Sequence, residues 1–313
     1  MRPVAVTGAA AVPDGVLAGA LEALPDAIRA RAGRAERVTQ LALAAAGGAL
    51  ARAGYGEAEG PPRPRHGIVL GTAFGCFLTN AAYQRRVAVD GVRAASPRLF
   101  AATVSNAAAG EVSICFRLGG PAVTLSAGAA AGLCAIGHAA DLVASGRADV
   151  MVAGGMDARG PELERWLADG GLAVGESPIR DAAAVVVLEP EPVEGGWARV
   201  LGHAQGYAPR GDDRRVTAVI RGALDDAGIG PSDVGIVVPV GAHVAAHALE
   251  AAFGAVPSAP DGPHEPAERF AAGGPLALLN ALASASVNVA VLVVQVCASG
   301  HVAALVAARA GQA

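Results

Sequence analysis

Aromatic side chains are scarce in this sequence. Phe, Tyr and Trp make up 4% of the 313 residues, although 53% of the residues are hydrophobic. The core must therefore consist of Ala, Val and Leu, and the 42 glycines indicate close packing of backbone segments. The length suffices for one large domain or two smaller ones, and either can bury a substantial core.

The sequence also lacks the basic clusters typical of nucleic-acid binding and the long apolar runs typical of membrane spans. The net charge is −4, and the basic pairs Arg85-Arg86 and Arg214-Arg215 are isolated, so we interpret them as solvated surface. The longest apolar run near the C-terminus, residues 287–297, contains Asn288 and Gln295. This run is too short and too polar to span a bilayer. We therefore expect neither a nucleic acid nor a membrane partner.

Cysteine is rare as well. The four cysteines lie far apart and fit no metal-ligand spacing: Cys76, Cys115, Cys134 and Cys297. Each lies in an apolar context, which indicates buried, reduced thiols in a cytoplasmic protein. The first three residues lead directly into a strand-like run, so no signal peptide is expected. We expect no metal and no cofactor.

Strand and helix patterns alternate along the first 190 residues. Short apolar runs predict strands, and apolar residues at helical spacing predict helices. The predicted strands cover residues 3–7, 67–71, 121–126, 148–153 and 182–188. The predicted helices cover residues 16–24, 34–53, 78–89, 106–116 and 133–143, and a further helical segment opens at Ser96-Pro97, where the proline suits the first turn. The alternation predicts an α/β fold with a parallel or mixed sheet that is covered on both faces.

A second series of elements follows the same order. Its predicted strands cover residues 198–203, 234–240, 289–297 and 301–308. Its predicted helices cover residues 214–228, 243–253 and 274–285. Both series run strand, helix, strand, helix and then two closing strands. We interpret them as a pseudo-repeat within a single domain of residues 1–313, with an N-terminal half of residues 1–192 and a C-terminal half of residues 193–313.

One stretch, residues 119–139, has the pattern of a nucleophile turn. A short strand leads through a run of tiny residues, 127–132, into a helix. The unpaired N–H groups and the dipole at a helix N-terminus favour negative charge, so an enzyme can place a reactive Ser or Cys there. Here the turn holds alanine. The stretch therefore has the form of an active site that lacks its reactive atom.

Ordered motifs along nearly the whole chain resemble a β-ketoacyl synthase of the thiolase superfamily. They are Val-Ala-Val-Thr-Gly at residues 4–8, Ser-Pro-Arg-Leu-Phe at 96–100, Ser-Asn-Ala-Ala-Ala-Gly at 105–110, Gly-Leu-Cys-Ala-Ile at 132–136, Gly-Arg-Ala-Asp-Val-Met-Val-Ala-Gly-Gly at 146–155 and Ser-Gly-His-Val-Ala at 299–303. Each motif is weak alone, but their order and spacing are specific. The resemblance implies a thiolase-like αβαβα fold of five layers, built from two pseudo-repeated halves.

The resemblance fails at the groups that carry the family's chemistry. The family uses a Cys nucleophile and two His that stabilise the developing negative charge. The matching positions here are Ala129 for the Cys, and Val240 and Ala267 for the two His. The nearest histidines, His243 and His264, stand outside the expected motif text. Methyl and isopropyl groups can neither attack a thioester nor donate a hydrogen bond, so we expect no catalytic residue at these positions.

This pattern is most similar to the chain-length factors of type II polyketide synthases. The resemblance implies a subunit, inactive alone, that forms a heterodimer with an active ketosynthase and shapes its acyl tunnel in polyketide or fatty-acid-like biosynthesis. An acyl carrier protein would be reached through that complex. Pairing is expected near Leu125 and the preceding helix. The candidate tunnel and interface residues are Phe100, Thr103, Asn106, Leu125, Ser126, Gly128 and Ala129. The family's gating Phe falls at residues 296–298 and is missing.

Two other functions remain open. The first is an acyltransferase or decarboxylase of the same fold with altered chemistry, which would use Cys134, His243 or His301. The second is a degenerate pseudoenzyme that works without a partner. We expect Cys134 to lie more than one turn inside its helix as a buried, inert thiol. We interpret His301 as a hydrogen-bonding turn residue beside Ser299.

Three further polar features have simple structural interpretations. The i, i+4 pair His243 and His247 is interpreted as helix surface, because no third metal ligand is evident. Asp157 and Glu162 are interpreted as loop surface. Asn106 is expected to cap the helix that follows it. The resemblance implies that its loop also reaches across a dimer interface toward the partner's acyl pocket.

Overall fold

Nine strands and eleven α-helices make up the described part of the computed structural model, which comprises residues 3–57, 59–170, 178–209, 212–241, 244, 246–257 and 268–311. The strands are β1 (Val4–Pro13), β2 (His66–Gly71), β3 (Ala122–Leu125), β4 (Val150–Asp157), β5 (Ala182–Pro190), β6 (Ala198–Tyr207), β7 (Val234–Val240), β8 (Ala290–Val296) and β9 (His301–Arg309). The helices are α1 (Leu17–Glu22), α2 (Asp26–Ala32), α3 (Arg37–Arg52), α4 (Phe77–Asp90), α5 (Pro97–Ala101), α6 (Ala107–Cys115), α7 (Ala131–Ala144), α8 (Pro161–Asp169), α9 (Asp213–Ala227), α10 (Ala246–Phe253) and α11 (Gly273–Ser284).

The strand order is the same in the two halves of the chain. The hydrogen-bonded order is β3-β2-β4-β5-β1-β6-β9-β8-β7. From the central strands outward, β1, β5, β4 and β2 correspond to β6, β9, β8 and β7. The pair β2 and β4 is parallel, as is the pair β7 and β8, whereas β1 with β5 and β6 with β9 are antiparallel. The repeated order confirms the pseudo-repeat that the sequence predicts.

The helices complete five layers. The helices α7 and α11 contact each other and lie between the two half-sheets, in one apolar core to which both halves contribute. The helix α3 covers the other face of the first half-sheet, and α9 covers the other face of the second. Side chains alternate accordingly, since Met151 and Ala153 of β4 face the central core and Val152 faces α3. The structure is therefore the predicted αβαβα fold.

The first strand is longer than its sequence predicts. The sequence predicts that it ends at residue 7, because glycine weakens strands, but β1 continues to Pro13. Its register against β5 shifts between Val6 and Gly8. A Cβ atom at Gly8 would overlap the carbonyl oxygen of Ala49 on α3. Gly8 therefore allows the close approach of a helix and does not end the strand.

Neither a membrane span nor a metal cluster occurs in the part of the chain that the structure describes. In these residues no helix is long and apolar enough to cross a bilayer. They also contain no group of three His, Cys, Asp or Glu side chains that could hold a metal ion. The structure adds two helices, α2 and α8, that the sequence pattern does not predict.

Candidate functional site

The turn between β3 and α7 places Ala129 at the start of a buried helix. The strand ends at Leu125 and the helix begins at Ala131, whose N–H donates to the carbonyl of Gly128 over 3.1 Å. Gly128 has a φ of 56°, a left-handed conformation that favours glycine. Ala129 is half-buried and carries only a methyl group. The strand–turn–helix geometry of a nucleophile site is thus present, with a methyl group at position 129 in place of a nucleophile.

Tiny residues around this turn are required by backbone contacts. A Cβ at Gly71 would overlap the carbonyl of Ala131, at the first residue of α7. A Cβ at Gly132 or at Gly155 would overlap the carbonyl of Ala271. Strands β2 and β4, the start of α7 and the segment before α11 therefore meet through backbone atoms. Close backbone packing therefore accounts for these small residues, in addition to the loss of the nucleophile at position 129.

A cysteine from the other half of the chain contacts the turn. The N–H of Ala129 donates to the Sγ atom of Cys297 over 3.3 Å. The Ser299 hydroxyl donates to the same Sγ over 3.2 Å, and Ser299 Oγ lies 3.0 Å from Nδ1 of His301. Cys297 is half-buried, unlike the other three cysteines, which are buried. The expectation of four buried thiols is therefore wrong at Cys297. This residue is the last one before the β8–β9 turn.

The β8–β9 hairpin explains why these three side chains meet. Cys297 N–H donates to the His301 carbonyl over 2.8 Å, and Gly300 N–H donates to the Cys297 carbonyl over 2.8 Å. Gly300 has a φ of 93°, which allows the tight turn. The His301 ring also packs edge-on against Tyr207 at 5.8 Å between ring centroids. The prediction that His301 is a hydrogen-bonding turn residue beside Ser299 is confirmed.

Asp157 is a buried carboxylate at the end of β4, so its interpretation as loop surface is wrong. It accepts hydrogen bonds from the Thr72 hydroxyl and from the N–H groups of Ala73, Phe74 and Ala271, at 2.7 to 3.1 Å. Burial raises the pKa of Asp157 to about 6, although these donors favour the charged form and lower it. The carboxylate joins the loop after β2 to the segment before α11.

Glu162 also differs from its interpretation as loop surface. It lies in the first turn of α8, and its carboxylate accepts from the Arg85 guanidinium over 2.7 Å. That ion pair lowers the pKa of Glu162. Pro161 at the first helical position and Gly160 before it are start signals for this helix, which the sequence pattern alone did not reveal as helical.

Phe100 and Asn106, two of the predicted tunnel residues, are exposed, and Thr103 between them is half-buried. Phe100 of α5 is 61% exposed and packs against the Tyr83 ring at 5.7 Å between centroids. The Thr103 hydroxyl donates to the Phe100 carbonyl, and the Thr103 carbonyl accepts from the Cys76 thiol. Asn106 occupies the residue before α6 but makes no capping hydrogen bond, so the predicted side-chain cap is wrong. Its side chain is exposed instead.

The remaining predicted positions are only partly described. Val240 is the last residue of β7 and lies next to Gly273, the first residue of α11. A Cβ atom placed on Gly273 would lie 3.4 Å from Cγ1 of Val240. Ala267, His243 and His264 lie outside the described residues. His247 is exposed on α10, which agrees with its interpretation as helix surface.

Cys134 is a poor candidate nucleophile. It is the fourth residue of α7, so it lies in the first turn and not deeper as predicted. It is nevertheless buried in the central core, and burial raises the pKa of its thiol to about 11. A thiol with this pKa carries almost no thiolate at neutral pH. This observation disfavours the altered-chemistry function in the form that uses Cys134.

The comparisons with known proteins agree with this fold. The model of the β-ketoacyl synthase N-terminal domain matches residues 1–168, which is more than half of the chain. The chain therefore belongs to the β-ketoacyl synthase family. No curated protein matches it.

Solved structures of ketosynthases and chain-length factors superpose along nearly the whole chain. The ishigamide ketosynthase/chain length factor is 25% identical, with 99% of this chain and 100% of that chain covered and a TM-score of 0.80. A β-ketoacyl synthase from Burkholderia phymatum STM815 is 18% identical, with 99% and 100% covered and a TM-score of 0.81. The ketosynthase ApeO in complex with its chain length factor ApeC, from Xenorhabdus doucetiae, is 16% identical, with 99% and 98% covered and a TM-score of 0.74.

Proposed function

We propose that the chain is a ketosynthase-like chain-length factor, which does not catalyse condensation itself. In this function it pairs with an active ketosynthase subunit and completes the wall of that subunit's acyl tunnel. It reaches an acyl carrier protein through the complex. Similarity to the ishigamide ketosynthase/chain length factor, at 25% identity over nearly the whole chain, supports the proposal.

The observation that carries the proposal is Ala129. The turn, the left-handed Gly128 and the start of α7 are all present, but the side chain at this position is a methyl group. A family member without its nucleophile keeps the scaffold and supplies shape in place of chemistry. The expected replacements at Val240 and Ala267 belong to the same proposal.

The free edge of the sheet gives the partner a place to bind. β3 ends the strand order and pairs only with β2 in the described structure. The N–H of Ile68 donates to the Pro121 carbonyl and the N–H of Thr72 donates to the Leu125 carbonyl, so alternate residues of β3 face β2. By the same alternation, the backbone groups of Ala122 and Thr124 face outward. An edge of this kind can pair with a strand of another chain.

Exposed apolar side chains occur on α6, the helix that packs against this edge strand, and in the segment before it. Ile114 of α6 is 55% exposed, Val104 is 52% exposed and Phe100 is 61% exposed, whereas the opposite side of α6 is buried. The helix α6 packs against β3. An exposed apolar side chain such as Ile114, on a helix packed against a free strand edge, is typical of a protein interface. We place the ketosynthase subunit on this surface, with Leu125 and Ser126 at its centre.

Phe100, Thr103 and Asn106 are the proposed tunnel and interface residues from the neighbouring loop. Phe100 supplies bulk and Asn106 supplies an exposed polar group, and the hydroxyl of the half-buried Thr103 donates to the Phe100 carbonyl. Within this function, the size of the side chain at position 100 limits the length of the acyl chain. Removing the ring should then lengthen the product.

Co-expression tests the pairing. The full chain is produced with its cognate ketosynthase, and native mass spectrometry measures the mass of the purified complex. The proposal predicts a 1:1 complex, with much of the chain insoluble when it is produced alone. A soluble monomer or homodimer that turns over acyl thioesters without a ketosynthase would favour the altered-chemistry function instead. A soluble, inactive chain that never pairs would favour the stand-alone pseudoenzyme.

A further inference from the structure

The thiol of Cys297 has the surroundings of a nucleophile. Its Sγ accepts hydrogen bonds from the Ala129 N–H at 3.3 Å and from the Ser299 hydroxyl at 3.2 Å. Both donors point at the sulfur beside the N-terminus of α7, which begins two residues after Ala129. The resemblance does not assign any role to Cys297, and the sequence pattern predicted only a buried thiol.

A proton acceptor is in reach of this thiol. Ser299 Oγ lies 3.0 Å from Nδ1 of His301, so the hydroxyl bridges the thiol and the imidazole. With Nδ1 unprotonated, the thiol proton can pass to Ser299 while the Ser299 proton passes to His301. The three residues occupy alternate positions, 297, 299 and 301, around one hairpin turn that Gly300 makes possible. The relay is therefore built by local backbone geometry.

The thiol is also accessible in the described structure. Cys297 is half-buried and Ser299 and Ala298 are exposed. Cys134, by contrast, lies in the central core with a raised pKa, and Cys76 donates its thiol proton to the Thr103 carbonyl. Of the four cysteines, Cys297 alone combines exposure with hydrogen-bond donors to its sulfur.

From this arrangement we infer that Cys297 is an acyl-accepting nucleophile, which takes an acyl group from an acyl thioester. The sulfur attacks the thioester carbonyl, and the bond between that carbonyl and the donor's sulfur breaks. The products are an acyl thioester on Cys297 and the free thiol of the donor. The proton that leaves Cys297 passes through Ser299 to His301 and returns to the departing thiolate. No oxidant or further reactant is needed.

The choice of substrate class rests on the proposed function, because an acyl tunnel brings thioesters to this turn. The step is transfer of an acyl group only. It forms no carbon–carbon bond, so it is compatible with a subunit that does not catalyse condensation. Ser299 and His301 act through Cys297 and are positioning residues for this step.

Acylation with a small thioester tests the inference. The full chain, alone or in complex with its ketosynthase, is incubated with the octanoyl thioester of N-acetylcysteamine, and the adduct is mapped by peptide mass spectrometry. We expect one octanoyl group on Cys297 in the wild type and in the matched control Cys134→Ala. We expect none in Cys297→Ala. An adduct that is absent from folded wild-type protein, or equally present on other cysteines, would overturn the inference.

The rate of thiol alkylation tests the relay separately. Iodoacetamide should modify Cys297 about tenfold more slowly at neutral pH in Ser299→Ala and in His301→Ala, with the pH profile moved to higher pH. Ser299→Thr keeps the hydroxyl and should restore the rate. Equal rates and profiles in all four proteins would contradict the relay. If the chain pairs with a ketosynthase but is never acylated, this inference is wrong and the proposed function stands. If the chain is acylated but pairs with no ketosynthase, the proposed function is wrong and this inference stands.

Discussion

Cys297 Sγ lies 3.3 Å from the backbone nitrogen of Ala129, although 168 positions separate the two residues. The contact joins the β8–β9 turn of the C-terminal half to the β3–α7 turn of the N-terminal half. The pseudo-repeat brings both turns to the same end of the central helical layer. A thiol is therefore present beside the turn whose own residue is alanine.

The outward edge of β3 should be the main determinant of pairing. In Thr124→Pro, the ring removes an N–H that faces away from β2, and proline is tolerated at such positions of edge strands. We expect a folded chain that no longer forms the heterodimer. Native mass spectrometry of the co-expressed pair measures this, and circular dichroism checks the fold. Ser113→Ala on α6, which removes only a bond to the Ala109 carbonyl, is the matched control. A complex that survives Thr124→Pro would place the interface elsewhere.

Restoring a thiol on the turn should not restore condensation. The substitution Ala129→Cys supplies the nucleophile, but Val240 at the end of β7 cannot donate a hydrogen bond. We expect no product from acetyl and malonyl thioesters above background, although the new thiol should be alkylated readily. An active ketosynthase of the family, assayed in parallel, is the positive control. Turnover by this variant would show that the rest of a condensing site has been retained.

The buried carboxylate of Asp157 predicts a pH-dependent stability. Its folded-state pKa is about 6, above the value of 3.8 for an unperturbed group. Between these values the folded chain binds more protons than the unfolded chain, so the free energy of unfolding falls as the pH rises. The full difference for this group is about 3 kcal/mol. Above the folded-state pKa the contribution no longer changes.

Urea unfolding at several values of pH between 4 and 7 measures this slope. In Asp157→Asn the side chain cannot ionise, and the part of the slope due to this residue should disappear. Glu162→Gln, at an exposed ion pair on α8, is the control and should leave the slope nearly unchanged. An identical slope in wild type and Asp157→Asn would show that the carboxylate does not titrate in this range.

Close backbone packing around the turn predicts an intolerant glycine. In Gly155→Ala the new Cβ would overlap the carbonyl of Ala271, so the segment before α11 must move. We expect a loss of about 1–3 kcal/mol in the free energy of unfolding, as is typical of overpacked cores. Gly19→Ala in α1 meets no atom within 4 Å and should change stability by less than about 1 kcal/mol. Equal stability of the two variants in thermal denaturation would contradict the close contact.

The elements of the fold were predictable because each has a local signal. The helix predicted at residues 133–143 is found at Ala131–Ala144, and the strand predicted at residues 182–188 is found at Ala182–Pro190. Apolar periodicity and glycine stops carry that information in a few consecutive residues. Gly8 misled the prediction because its small size serves a contact with α3, which no local pattern reveals.

The candidate site was less predictable because its contacts cross the two halves. Asp157 follows a buried strand, but its donors Ala73 and Ala271 lie far from it in sequence. Cys297 meets Ala129 only once the β8–β9 register and the position of α7 are both fixed. The spacing of Cys297, Ser299 and His301 was visible in the sequence. The sequence pattern also placed a turn at residues 298–300, with His301 beside Ser299, but no local pattern indicated that Cys297 reaches Ala129.

The length of the product made with and without this chain tests the central claim most directly. The cognate ketosynthase is supplied with acyl carrier protein and malonyl thioester, alone, with the wild-type chain, and with Phe100→Ala, and the products are sized by mass spectrometry. The account predicts a defined product only when the chain is present, and a longer one with Phe100→Ala. The same product from the ketosynthase alone would contradict a role of this chain in shaping the tunnel.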